Sequence, residues 1–422
     1  MSSRIVILSI ILLIYSLAEL YVFFNLKFII RGSKYANIYY GLYIFSLLFV
    51  LAALTFFFVS LGKTGGKFEP RTPIGNLIIG FTFTLIVSKL IFACILLLVD
   101  FSRLITWIID KLNKLASNTP GEITLEGRRS FLVKLSLGLA AIPFASFLYG
   151  ITIGKYNYKL KKVKLAFSTL DPVFNGYKIV QISDVHAGSF DSPEQVQKGI
   201  DIINEQQPDL VLFTGDLVND RAEEIDAYME VFKGIVAKDG VYSITGNHDY
   251  GDYYQWPSKE AKEANFLNLI QKHKEIGFHL LLNENVQIKK GDAYFNLLGI
   301  ENWGLPPFPQ HGDLDKALQG VDNQFTLLMS HDPSHWDAQT IQHKNHIDLT
   351  LAGHTHGMQF GIEIPGIKWS PVKYKYPRWA GLYESGNHKL YVNRGFGFLG
   401  LPGRVGIWPE ITLIELEAKS AT

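Results

Sequence analysis

The feature that most constrains this chain is a run of 28 residues, 35–62, that holds no charged side chain. A helix needs about 20 apolar residues to cross the hydrocarbon core of a bilayer, and this run is longer than that. A buried helix in a soluble domain usually has a shorter apolar run and a polar face. We therefore predict that residues 35–62 span a membrane.

Three further segments have a similar character, namely 5–30, 74–99 and 135–154. The segment 135–154 has no charge, whereas Glu19 and Lys27 lie within 5–30 and Lys89 lies within 74–99. For any of these segments the alternative is a buried core helix. Because an ionisable side chain inside a membrane needs a partner, we expect Glu19 and Lys89 to pair with each other.

Together these spans predict an N-terminal anchor of about four transmembrane helices, residues 1–154. Residues 100–134, between the third and fourth spans, are expected to form an amphipathic interfacial segment and a linker. The anchor explains the composition, because charged residues make up 19% of the chain, against about 25% in an average soluble protein. The chain is thus expected to be a multi-pass protein of the cell membrane, with membrane lipid as a partner.

The charge balance excludes one class of function. Forty Lys and Arg residues stand against 39 Asp and Glu residues, a formal charge of +1, so we expect no nucleic-acid partner. The single cysteine, Cys94, excludes an intrachain disulfide.

The orientation in the membrane depends on a short basic motif. Basic residues flank the predicted spans equally on both sides, so their count does not decide it. Arg128 and Arg129, placed before an apolar stretch, resemble a twin-arginine export signal, which would make the C-terminal part extracytoplasmic. The alternative is that the two arginines anchor a helix end.

From residue 155 the pattern changes to short apolar runs that alternate with longer helical ones. This alternation is typical of layered α/β domains, with helices that cover the faces of a sheet. Helices are predicted at 194–206, 223–237 and 259–276. Strands are predicted at 177–183, 209–215, 240–246, 279–282, 285–289, 293–299, 325–330, 348–352, 389–393 and 411–416.

Five of these strands are followed by loops that carry acidic, amide or imidazole side chains. Loops beyond the carboxyl ends of strands are where α/β sheets bind ligands, and a mixed set of nitrogen and oxygen donors suits manganese, iron or zinc. Alternate residues share a side of an extended segment, so Asp184 and His186 can reach one ion. The carboxylate of Asp216 can bridge two ions, and His354 and His356 can be divided between them. The seven histidines outside these loops are expected to be ordinary core or surface residues.

The motifs SDVH, GD, GNHD, SHD and GHTH occur in this order over 184–356, and together they resemble the calcineurin-like metallophosphoesterase superfamily. The likeness covers about 164–416. The GHTHGMQ motif and the closing LYVNRGFGFLGLPGRVGIWPEITLIEL are similar to a membrane-associated or exported bacterial phosphodiesterase branch. The resemblance implies that residues 155–422 form a catalytic domain with a four-layer αββα sandwich, two mixed sheets flanked by helices.

The resemblance also implies a site with two divalent metal ions, manganese first, with iron or zinc as alternatives. One ion would be held by Asp184, His186 and His356, the other by Asn247, His331 and His354, and Asp216 would bridge them. A hydroxide that bridges the ions would attack a phosphodiester or pyrophosphate bond, and His248 would be the general acid. The substrate would be a phosphorylated compound, linked to lipid or to cell-wall polymer. The alternative is a catalytically silent membrane receptor for a phosphorylated ligand.

Two positions depart from the family pattern. Asn219 stands where many relatives have Asp, so Asp220 or Asp249 is a candidate to orient the catalytic histidine. Met358 stands where Gly is usual, which would narrow the approach to the metals. Candidate substrate contacts, with ordinary loop polarity as the alternative for each, are Tyr250, Glu301, Asn302, Gln359 and Arg394.

Overall fold

A computed structural model of the chain describes residues 3–63, 73–117 and 126–419. The chain forms two compact units, and the main boundary between them lies at Tyr149 and Gly150. The first unit is helical and the second is an α/β domain.

The helical unit contains four long helices. Each has an apolar stretch long enough to cross a bilayer, as predicted, and these stretches are Leu13–Ile30, Ala36–Phe57, Ile74–Leu112 and Phe131–Thr152. The helices are α1 (Ser3–Ile30), α2 (Ala36–Lys63), α3 (Pro73–Ser117) and α4 (Glu126–Thr152).

The third helix is longer than predicted. It continues for 45 residues through the first part of the expected interfacial segment and linker at 100–134. No glycine or proline occurs between 81 and 117, and apolar residues continue as far as Leu112, so nothing in the sequence ends the helix near 99. The last part of that segment, 126–134, begins α4, whose first turn contains Arg128 and Arg129; their side chains lie outside the described residues.

A buried polar cluster lies inside the helical unit. Nζ of Lys89 is 2.8 Å from Oε1 of Glu19 and donates a hydrogen bond to Oγ of Ser46 at 3.0 Å. The hydroxyls of Tyr15 and Tyr43 also donate to the Glu19 carboxylate. Glu19 and Lys89, which lie inside two of the predicted spans, therefore compensate each other.

The α/β unit contains two six-stranded sheets. Their strand orders are β1-β14-β2-β3-β4-β5 and β12-β13-β9-β8-β7-β6, and a hairpin of β10 and β11 is separate. The strands are β1 (Lys159–Phe167), β2 (Tyr177–Ile182), β3 (Leu210–Phe213), β4 (Val241–Ser243), β5 (Phe278–Leu280), β6 (Glu284–Lys290), β7 (Ala293–Gly299), β8 (Thr326–Met329), β9 (Leu349–Ala352), β10 (Ile362–Ile364), β11 (Ile367–Trp369), β12 (Gly381–Ser385), β13 (His388–Val392) and β14 (Glu410–Ala418).

Alternation along the strands builds the layers. Ile179 of β2 packs with Leu297 and Leu349 of the second sheet, while its neighbour Val180 packs with Ile200 of a helix. The helices of this unit are α5 (Pro193–Glu205), α6 (Met229–Lys233), α7 (Lys259–Glu275), α8 (Leu314–Ala317) and α9 (Ser334–Ala338). Helices thus cover the outer faces of both sheets, and the predicted four-layer αββα sandwich is confirmed.

The sequence did not predict four of these strands, β1, β10, β11 and β12. In β1 lysines outnumber apolar residues over 159–164, because this strand is at the edge of its sheet and pairs only with β14. The other three are short and contain no buried residue, so they lack the apolar run of a core strand.

Candidate metal centre

The candidate residues lie at one edge of the sandwich because of the strand order. Strands β2, β3 and β4 are parallel neighbours in one sheet, and β8 and β9 are parallel neighbours in the other. The carboxyl ends of parallel strands meet at one edge of a sheet. The loops after these five strands carry the seven predicted metal ligands and His248.

A first group consists of Asp184, His186 and His356. The Nε2 atoms of the two histidines are 2.9 Å apart, and Nε2 of His356 is 3.2 Å from Oδ1 of Asp184. All three side chains are buried.

A second group consists of Asp216, His331 and His354. Nε2 of His331 is 3.1 Å from Oδ2 of Asp216. Oδ1 of Asn247 joins this group, since it is 2.8 Å from Nδ1 of His354. The amide of Asn247 is oriented by its Nδ2, which donates to the hydroxyl of Tyr253 at 3.0 Å.

Asp216 connects the two groups. Its Oδ2 is 3.5 Å from Nε2 of His186 in the first group and 3.1 Å from Nε2 of His331 in the second. Its other oxygen, Oδ1, accepts a hydrogen bond of 2.8 Å from the backbone N–H of His248. Oδ2, which does not accept this hydrogen bond, is thus left to face both groups.

The donor atoms fit metal ions. Two ligands that each lie about 2.1 Å from one ion, at a right angle, are about 3 Å apart, which is close to the distances above. Nδ1 of His331 lies 2.7 Å from the carbonyl oxygen of Thr214, a bond that leaves the Nε2 lone pair for a cation. That Nε2 is buried and has no hydrogen-bond partner by geometry, although Oδ2 of Asp216 is 3.1 Å away.

The electrostatics of the site also favour a cation. Burial raises the pKa of Asp216, but the imidazoles of His331 and His248 outweigh burial and hold that pKa well below its ordinary value. Burial lowers the pKa of His331, but Asp216 outweighs it and raises that pKa to about 10. The carboxylate is therefore ionised, and a cation must displace the proton from His331 to bind there.

The backbone is strained at most of the candidate ligands. Only nine non-glycine residues in the described chain have a positive φ in this structure, and five of them belong to the two groups. Non-glycine residues rarely adopt this conformation, and it occurs mainly where function requires it. The five are Asp184 (φ 52°), His186 (φ 49°), Asp216 (φ 60°), His354 (φ 68°) and His356 (φ 50°).

His248 lies beside both groups without belonging to either. Its Nδ1 is 2.7 Å from the backbone carbonyl oxygen of Asn219, and its ring lies 4.9 Å from the ring of His186, between centroids. Burial lowers its pKa, and Asp216 partly opposes this. Asp249 does not orient the imidazole, because its carboxylate accepts backbone N–H groups, including those of Asp216 and Leu217.

The candidate substrate contacts have internal partners. The hydroxyl of Tyr250 lies 2.9 Å from Oγ1 of Thr245 and donates to Glu301 at 3.0 Å, and the other Glu301 oxygen accepts from Asn283. Asn302 is fully buried. None of these hydrogen bonds involves a residue of the two groups.

The other two candidate substrate contacts, Gln359 and Arg394, also have internal partners. Nε2 of Gln359 donates to the carbonyls of Leu401 and Gly403, so this side chain stabilises a neighbouring loop. The Arg394 guanidinium is buried against the carboxylates of Glu363 and Glu410. Met358, by contrast, is 57% exposed.

Further side chains contact the site and were not among the candidate substrate contacts. The hydroxyl of Tyr376 is 2.8 Å from Nε2 of His354, and the ring of Tyr253 lies 4.5 Å from the ring of His248. Arg404 is fully buried, and its Nη2 is 3.4 Å from Nδ1 of His356. The GRVG sequence around Arg404 is part of the closing motif LYVNRGFGFLGLPGRVGIWPEITLIEL, so that motif could have indicated this residue.

Two protein families match the chain. Residues 3–155 match the family described as probable calcineurin-like phosphoesterase, transmembrane domain, and residues 177–358 match the calcineurin-like phosphoesterase family. The first match coincides with the helical unit, and the second covers the loops that carry the site.

Curated relatives agree with this. A transmembrane protein with metallophosphoesterase domain from Danio rerio is 28% identical over 64% of this chain and 60% of its own length. The uncharacterized metallophosphoesterase YkuE of Bacillus subtilis is 31% identical over 58% of this chain and 80% of its own length. Phosphodiesterase YaeI of Escherichia coli is 29% identical over 57% of this chain and 82% of its own length. With its four apolar helices, this chain is a membrane protein of the calcineurin-like metallophosphoesterase family, a class of hydrolases that act on ester bonds.

Proposed function

We propose that this protein is a phosphoesterase that holds two divalent ions and hydrolyses a phosphodiester or pyrophosphate bond. The observation that carries the proposal is the position of Asp216, whose Oδ2 is 3.5 Å from His186 and 3.1 Å from His331. A carboxylate that reaches both groups suits a pair of ions about 3.5–4 Å apart.

Each group would hold one ion. Asp184, His186 and His356 form the first set, Asn247, His331 and His354 form the second, and Asp216 belongs to both. Mixed nitrogen and oxygen donors favour manganese, iron or zinc. When bound, two such ions lower the pKa of a water molecule and neutralise charge on the phosphoryl oxygens.

His248 would act as the general acid. Its contact with the carbonyl of Asn219 fixes Nδ1 as the protonated nitrogen, which leaves Nε2 for the oxygen that departs from phosphorus. Burial lowers the pKa of this imidazole, and Asp216 and a phosphate anion in the cleft would both oppose that effect.

The proposed substrate follows from the attachment of the domain to a membrane, and the proposed membrane face follows from a sequence motif. We assign residues 1–154 to the anchor and 155–422 to the catalytic domain. A catalytic domain that is tied to a bilayer meets phosphorylated lipids, and one on the outer face also meets cell-wall phosphopolymers.

We place the domain outside on the basis of the Arg128-Arg129 pair. A reporter that functions only in the cytoplasm, fused after Thr422, would be inactive on this proposal, and an active one would contradict the placement.

The reaction can be tested with the purified full-length protein in detergent. After loading with Mn²⁺, hydrolysis of bis(p-nitrophenyl) phosphate, p-nitrophenyl phosphate and a lipid pyrophosphate is compared. We expect turnover of the diester or the pyrophosphate, and its loss in the Asp216→Asn variant. Bound metal without turnover of any of the three would contradict the proposal and favour a silent receptor.

A further inference from the structure

A cavity of about 500 Å³ lies in the helical unit, between α1, α2 and α4. Its volume is within the range of about 300–1,000 Å³ that is usual for ligand sites. Most of its wall is apolar, with Phe23 and Leu26 from α1, Leu42 from α2 and Leu137 from α4. A hydrocarbon chain matches this surface.

Two lysines give the cavity a positive charge. Lys27 of α1 and Lys134 of α4 are the charged residues on its wall. Neither is paired with a carboxylate anywhere in the part of the chain that the structure describes. Ser33 and Tyr39 add hydroxyl groups to the same cavity.

The nearby buried carboxylate does not cancel this charge. Tyr43 lines the cavity, and its hydroxyl oxygen, which donates to the Glu19 carboxylate, is also 2.8 Å from the backbone carbonyl oxygen of Glu19. The carboxylate of Glu19 is already compensated by Lys89 at 2.8 Å, and Nζ of Lys89 lies 4.7 Å from the centre of the Tyr43 ring. The charge of the two cavity lysines is therefore left for a ligand.

We propose that this cavity binds an anionic phospholipid of the bilayer, with an acyl chain on the apolar wall and the phosphate at Lys27 and Lys134. Basic pockets between membrane helices recognise anionic headgroups in this way. The site is separate from the proposed reaction, because it rests on the helical unit alone.

The test uses the full-length protein, released from detergent micelles into a mass spectrometer together with equal amounts of dioleoyl phosphatidylglycerol and dioleoyl phosphatidylcholine. We expect the protein to retain the anionic lipid in preference. The double variant Lys27→Gln, Lys134→Gln should bind it roughly thirtyfold more weakly, since each lysine contributes about 1 kcal/mol. Equal retention of the two lipids, or full retention of phosphatidylglycerol by the double variant, would overturn the proposal.

Two controls define the ligand. Lys34 lies next to the cavity in sequence but is not on its wall, and its ammonium group lies over the Tyr35 ring, so Lys34→Gln should bind as the parent does. Leu137→Trp, which fills the apolar part, should lose the lipid while circular dichroism shows unchanged helix content. If glycerol phosphate without acyl chains displaces the lipid, the site binds a free phosphate and the lipid proposal fails.

Discussion

The environment of His248 bears on Asn219, the position where the family resemblance led us to expect Asp. The imidazole lies 2.7 Å from the backbone carbonyl of residue 219, and any side chain at this position supplies that carbonyl. The side chain of Asn219 is free for another contact, and its Nδ2 donates to Ser189. The departure from the family pattern therefore does not remove the group that orients the histidine.

Replacement of His248 separates catalysis from metal binding. We expect His248→Ala to keep its metal content and to lose about 10²- to 10⁴-fold in turnover, because the general acid is missing and the ligands are intact. Metal analysis and diester hydrolysis measure the two effects. Loss of metal would make His248 a ligand instead, and the exposed His279→Ala should change neither quantity.

Asp220 gives a dependence of stability on pH. Burial, assisted by Glu224, raises its pKa from 3.8 to about 7. The folded protein therefore binds a proton that the unfolded chain releases, and this contribution to stability is lost as pH rises from about 4 to 7. The Asp220→Asn variant keeps an oxygen that can accept the hydrogen bond from the N–H of Tyr253. Because its amide does not titrate, this variant does not lose stability as pH rises.

Thermal unfolding of both proteins at several pH values checks this. The melting temperature of Asp220→Asn should rise relative to the parent between pH 5 and pH 8. A difference that is constant across this range would show that Asp220 keeps its ordinary pKa.

At the level of elements, the sequence predicts what is local. Asp184 and His186 are two positions apart in the loop after β2, and His354 and His356 are two positions apart in the loop after β9. The order of the strands therefore predicts that these side chains come together. Tyr376 and Arg404 reach the same site through packing of loops that are distant in sequence from any ligand. The local sequence around Tyr376 or Arg404 does not indicate this contact. For the same reason, the local sequence does not predict the buried partners of Arg394 and Gln359.

The loop after β4 depends on a glycine. A methyl group on Gly246 would lie 2.2 Å from Oδ1 of Asp216 and 2.7 Å from a ring carbon of His331. Gly246→Ala should therefore displace Asp216 and reduce both metal content and turnover more than tenfold. The matched change Gly138→Ala, where nothing lies within 4 Å, should leave both unchanged, and a fully active Gly246→Ala would contradict the geometry.

The ion pair between α1 and α3 predicts coupling between two helices. Lys89→Met leaves the buried Glu19 carboxylate without its cation and should destabilise the helical unit by about 3 kcal/mol. The double variant Glu19→Gln, Lys89→Met should regain most of this stability. Unfolding in a denaturing detergent measures the coupling, and simple additivity of the two changes would show that the pair contributes nothing.

For the whole molecule, the low charge content and the near-zero net charge have separate origins. Residues 1–100 carry eight basic and three acidic side chains, so the remainder has 32 basic and 36 acidic ones. The apolar residues that lower the charge content are concentrated in the four helices. The composition indicates that the chain has two parts. The lengths of α3 and α4, by contrast, are known only from the structure.

Metal removal tests the α/β unit as a whole. A chelator should lower the melting temperature, and Mn²⁺ should restore it, because a ligand at a hundred times its dissociation constant stabilises a fold by about 2.7 kcal/mol. The Asp216→Asn variant should show little response to either. A parent protein that is also unresponsive would mean that the two groups do not hold ions tightly.

The positive φ angles at five candidate ligands have a consequence for protein engineering. Each such residue costs about 1–3 kcal/mol, and glycine at the same position would relieve most of that cost. A selection for thermal stability alone would then discard the ligands first, so any stabilised variant of this protein has to be screened for turnover at every round.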